Sequence, residues 1–123
     1  MKSHWVDYND KRVFIADFSG FGTDSVALQE EGNGVVATVT KEPVDSVLSI
    51  SKVGGTAASK GNVQVLMDVL SQSKKYVTKR CVVGVSGIRW TFYDAFNRIA
   101  GRAKFNSFDT LEEALDWIVQ DES

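Results

Sequence analysis

A chain of 123 residues, 43% hydrophobic and 24% charged, fits one soluble globular domain (residues 1–123) that buries its core without staples. A formal charge of −2 and a pI near 5.3 argue against a dedicated nucleic-acid binder, and no apolar run is long enough for a membrane span. "MKSHWVDYND" lacks the apolar stretch of a signal peptide and the single cysteine suits a reducing compartment, so the expectation is a cytoplasmic protein.

"HWVDYND" and "RVFIADFSG" predict two strands joined by a tight turn at Asn9–Asp10, with Phe14, Ala16 and Phe18 alternating with Ile15 and Asp17. From Thr23 to about Lys41, Leu28, Val35, Val36 and Val39 keep helical spacing. Gly32 lies on that stripe with Gly34 nearby, and an interior glycine weakens a helix. The expectation is an unbroken helix in which Gly32 allows close approach to the sheet, with a break at "EGNG" as the alternative.

Pro43 ends that helix, "VDSVLSIS" reads as a short strand and "KVGGTAASKG" as a loop. "NVQVLMDVLSQSKK" predicts a helix with Val63, Leu66, Met67 and Leu70 inward, and with Lys74 and Lys75 complementing its dipole. Val65 and Val69 fall off that stripe and make a candidate apolar surface patch.

"RCVVGVS" is a continuous apolar run, as expected of a strand covered on both faces. "GIRWTFYDAFNRIAGR" carries Ile88, Phe92, Ala95, Phe96 and Ile99 on one helical face, and Gly101 marks its stop. "AKFNSF" is a last short strand. "DTLEEALDWIVQ" is a final helix capped by Asp109 or Thr110, with Leu111, Ala114, Leu115 and Ile118 toward the core. The order ββαβαβαβα implies an α/β fold with a mixed, mostly parallel sheet of about five strands, and ligands at the carboxyl ends of those strands.

No catalytic constellation emerges. "GVSGI" places Gly84, Ser86 and Gly87, but a nucleophile elbow needs its second glycine one residue later, and His4 is the lone histidine. Cys81 opens an apolar strand and reads as a small hydrophobe. "GGTAASKG" lacks the Gly-Lys-Ser/Thr ending of a P-loop. With one His and one Cys no metal site is expected, nor any cofactor. Two loops on one rim remain as candidate anion sites, through Gly54 and Gly55 in one and Ser86, Gly87 and Arg89 in the other. Ordinary turns needing small residues are the competing reading.

Residues 74–104 hold eight basic residues (Lys74, Lys75, Lys79, Arg80, Arg89, Arg98, Arg102 and Lys104) against Asp94 alone, whereas the tail from Asp109 is acidic. Neutralisation of one by the other is the expectation. Trp90, with Tyr93 and Asn97 toward the polar side of its helix, is a candidate interface, for a partner or for a homodimer.

"YVTKRCVVGVSG", "NRIAGR" and "FDTLEEALDWIV", with a looser fit of "VFIADFSG" and "SVLSISKVGGT", resemble the SpoIIAA-like family, small bacterial proteins related to STAS domains. The resemblance implies a SpoIIAA/STAS-like (βα) superhelix with strands in sequential order and a relation to CRAL-TRIO lipid-binding domains. In STAS antagonists a serine at the start of the helix after the third strand is phosphorylated and switches partner binding. Here the turn reads "SISKVGGTAASKGN", without "DSSG", and Thr56 and Ser59 are the hydroxyls left near the helix start. Each is a candidate phosphosite, and each also reads as an ordinary helix cap. The expectation is a non-enzymatic module that binds an unknown protein partner. The alternative is a carrier of a small apolar ligand or lipid.

Overall fold

The computed structural model describes residues 1–84 and 106–121. Within them the chain forms β1 (His4–Tyr8), β2 (Lys11–Asp17), α1 (Ser25–Val39), β3 (Val47–Lys52), α2 (Lys60–Ser73), β4 (Val77–Val83), β5 (Asn106–Phe108) and α3 (Leu111–Ile118), with a 3-10 turn at Lys74–Tyr76. The five strands make one sheet in the order β1-β2-β3-β4-β5, antiparallel between β1 and β2 and parallel elsewhere. This is the expected α/β architecture with its leading hairpin. The helix predicted over 88–101 lies outside the described residues.

Asn9 and Asp10 both take positive φ (50° and 66°), which closes a two-residue turn whose twist matches the strands it joins. The parity of β2 then sorts two cores. Phe14, Ala16 and Phe18 face α1 and α2, while Val13 and Ile15 face α3 together with Ile50 and Cys81. Because both faces are covered, β2 and β4 read as near-continuous apolar runs rather than alternating ones.

Asp24 caps α1 by accepting from Ala27 N (3.0 Å), and the helix runs through "EGNG" without a break. Gly32 does not approach the sheet as expected. A Cβ built there would lie 2.7 Å from Val69 Cγ2 and 3.7 Å from Val65 Cγ1, so its lack of a side chain sets the distance between α1 and α2. The same contact corrects the reading of α2. Val65 and Val69 form no surface patch but are buried against α1. Leu66 and Leu70 are buried as expected, whereas Val63 and Met67 are only half-buried. A helix with two neighbours, sheet and helix, needs a wider apolar stripe than one face supplies.

Two polar groups, one buried and one exposed, fasten the segments outside the sheet. Glu31, 7% exposed, accepts from the backbone amides of Lys2 (3.0 Å) and Ser3 (2.8 Å), clamping the first residues onto α1. Thr110, the exposed cap of α3, accepts from Glu113 N (3.2 Å) and donates its hydroxyl to the Glu113 carboxylate (3.0 Å).

Candidate functional site

The carboxyl ends of β2 and β3 run into loops 18–24 and 53–59, which are laced together. Gly20 N donates to Gly54 O (2.8 Å), Gly22 N to Gly55 O (2.9 Å) and Ala57 N to Gly22 O (2.8 Å). Gly55 and Gly84 hold positive φ (78° and 87°), and a Cβ on either would press within about 3.3 Å of the backbone of Gly20 or Gly54. The rim is thus small-residue backbone packed on backbone. The carbonyls of Gly54 and Gly55 are consumed by this lacing, while their amides donate to no acceptor among the described residues.

The two candidate hydroxyls differ. Thr56 is half-buried, donates its hydroxyl to Phe18 O and accepts from Phe21 N (3.2 Å), so both sides of the oxygen serve the loop pairing. Ser59 is the N-cap of α2, accepting from Asn62 N (3.2 Å). Asn62 is fully buried and fully used. Its amide donates to Gly22 O (2.9 Å) and Ala57 O (2.9 Å), and its carbonyl oxygen accepts from Ser25 Oγ (2.7 Å) at the start of α1. One side chain therefore joins both rim loops to the first turns of both helices.

Asp17 and Lys52 are register partners at the strand ends, with Lys52 Nζ 3.9 Å and Lys2 Nζ 3.6 Å from the carboxylate. Burial raises the Asp17 carboxyl, but the hydroxyl and amide of Ser19 and the two lysines outweigh it and hold it below its ordinary value.

Beneath the rim, between the sheet and the two helices, is a cavity of about 30 Å³, room for roughly two waters. Most of its wall is apolar, from Phe18, Val35, Leu66 and Leu70 among others, yet Ser49, Ser51, Ser73 and Arg80 also line it. Ser49 and Arg80 are cross-strand partners at the same sheet level, and both are buried (8% and 9% exposed). Burial alone pushes the guanidinium down to about 10.

Neither Cys81 nor His4 enters a cluster of nucleophiles. Cys81 is fully buried, and desolvation pushes its thiol up to about 12 despite Lys79. His4 is exposed on edge strand β1, where Nδ1 donates to Lys2 O (2.9 Å). Among the described residues no group of three or more His, Cys, Asp or Glu converges, and no helix is long and apolar enough to cross a membrane.

Among the described residues the acidic tail makes no ion pair with Lys74, Lys75, Lys79 or Arg80. Lys79 Nζ donates to the carbonyls of Trp117 (2.8 Å) and Gln120 (3.1 Å) and sits 4.2 Å over the Trp117 ring. Asp116 and Asp121 instead bond Tyr8 and Lys11 of the hairpin. Ser86, Gly87, Arg89, Trp90, Tyr93 and Asn97 lie outside the described residues, so of the candidate sites only Gly54, Gly55, Thr56 and Ser59 are brought together, on the rim.

Asn62, Ser49 and Arg80 carry the polar interior, and no motif in the sequence singles them out. The available signal is parity: Ser49 and Ser51 in "VLSIS", and Arg80 two before Val82, put polar groups on one face of strands whose neighbours are apolar.

No family model matches the chain, and neither a curated protein nor a solved structure matches it.

Proposed function

We propose that this chain is a non-enzymatic, SpoIIAA-like interaction module that docks a protein partner on the rim formed by residues 18–26 and 53–60, with Ser59 as its control point. The observation that carries the reading is the Ser59–Asn62 link, in which the cap of α2 accepts from the backbone amide of the residue whose side chain ties both rim loops together. A phosphate on Ser59 gains from the helix dipole and the unpaired amides of the first turn, and it takes the hydroxyl's place at Asn62 N. Thr56 suits this role less, because a phosphate there breaks two bonds within the loop pair. Val26, 74% exposed on the first turn of α1, gives the rim an apolar contact point next to Ser25 and its bond to Asn62.

The test is native mass spectrometry of the protein isolated from its own cells without refolding. The wild type is expected to carry a protein partner, Val26→Glu to lose it, and Ser59→Asp to shift the bound fraction relative to Ser59→Ala. A bare chain in all four preparations refutes the module.

A further inference from the structure

Arg80 lies away from the rim, deep in the α1–α2 layer. It retains 9% of its exposure, lines the cavity between β3, β4, α1 and α2, and makes no ion pair or hydrogen bond among the described residues. A guanidinium offers five N–H donors and no acceptor. Beside it Ser49 and Ser51, on the same face of β3, have hydroxyls that find no protein acceptor among the described residues. The hydroxyl proton of Ser73 is committed to Val69 O (2.7 Å), so lone pairs are what it offers the cavity.

The serine oxygens of the wall carry lone pairs as well as protons, so neutral acceptors are not what the cavity lacks. Among the described residues it sets no negative charge beside a cation that burial disfavours. A negatively charged ligand supplies that charge, whereas waters fill the space and bring none. A planar carboxylate takes two parallel N–H bonds from the guanidinium fork and has lone pairs left for two hydroxyls. A room of about 30 Å³ leaves space beyond the carboxylate for little more than a methyl group.

We propose that the Arg80–Ser49–Ser51 cavity is a binding site for a compact monocarboxylate of the formate-to-acetate size class.

The first experiment needs no variant: saturation-transfer NMR of acetate with the full chain, the protein methyl groups being irradiated. Transfer to the acetate methyl is expected, and its absence overturns the site. Thermal unfolding in sodium acetate is then compared with sodium gluconate and sodium chloride at equal ionic strength. The expected result is a saturable rise in Tm with acetate that gluconate, too bulky for the cavity, does not reproduce. Equal responses to acetate and gluconate reduce the effect to screening and refute the proposal. A response to chloride as large as to acetate refutes the carboxylate assignment.

Arg80→Met removes the charge at similar volume, so it is expected to be at least as stable as the wild type in carboxylate-free buffer, and to ignore acetate. An acetate response that survives this substitution overturns the site. The pair Ser49→Ala/Ser51→Ala leaves the charge in place and is expected to weaken the acetate response roughly tenfold. An unchanged response there also counts against the geometry.

Discussion

Replacing Gly32 with alanine tests how closely α1 and α2 are packed. The new Cβ falls 2.7 Å from Val69 Cγ2, about 1 Å inside ordinary carbon–carbon contact, and the obstacle is a stiff, β-branched side chain in a buried layer. Overpacking of this kind costs about 1–3 kcal/mol. Alanine simultaneously recovers about 1 kcal/mol of helix propensity. Gly34, two residues along, serves as the internal control. Its Cβ meets only the Met1 side chain (Sδ at 2.5 Å), a flexible group able to move aside, so Gly34→Ala keeps most of the propensity gain.

The difference between the two variants cancels propensity and isolates the helix contact, with Gly32→Ala expected to be about 1–3 kcal/mol the less stable. Urea unfolding followed by tryptophan fluorescence measures it. The reasoning also requires that Val69→Ala relieve the clash, so that the double variant is more stable than the sum of the singles implies by about 1 kcal/mol or more. Equal stability of the two alanine variants, or additivity with Val69→Ala, refutes it.

Two buried groups give further expected outcomes. Burial raises the Glu31 carboxyl, but the Ser3 and Lys2 hydrogen bonds and the terminal ammonium outweigh it and hold it below its ordinary 4.5. A depressed folded-state value means stability that is present above pH 4.5 and lost as pH falls through the folded value. The wild type should therefore lose stability on acidification more steeply than Glu31→Gln, and parallel curves of stability against pH would contradict the clamp. Cys81, fully buried with its thiol up at about 12, should resist iodoacetamide in the folded protein and label only as the chain unfolds. Labelling within minutes in native buffer at neutral pH would show that the strand is not closed.

The fold is legible where local chemistry and burial agree. Asn9–Asp10 announces the hairpin, and Thr110 with Glu113 announces the start of α3, because each residue acts within its own turn. The buried face of α2 lies about a quarter turn from where periodicity puts it, for a tertiary reason. Spacing alone picks Val63, Leu66, Met67 and Leu70, but Val65 and Val69 are drawn inward by a gap at Gly32, some thirty-odd residues away, which no window on α2 can contain.

The rim is legible as a place, through Gly54, Gly55, Thr56 and Ser59, but not as a structure, since its bonds join loops distant in sequence. Arg80 is hidden in a row of basic residues, and only strand register separates it from Lys79. The one goes into the α1–α2 layer, the other to the end of α3.

The position of Asn62 also bears on how long the folded chain lasts. Two of its partners, Gly22 and Ser25, lie 40 and 37 residues away, so the expectation is that these bonds form late, once α1 and α2 have docked. Interactions formed that late do little to hasten folding, and their free energy goes almost wholly into the barrier against opening. A single amide would thus work as a timekeeper: Asn62→Ala is expected to speed unfolding while leaving the folding rate nearly unchanged, which the two arms of a urea chevron measure.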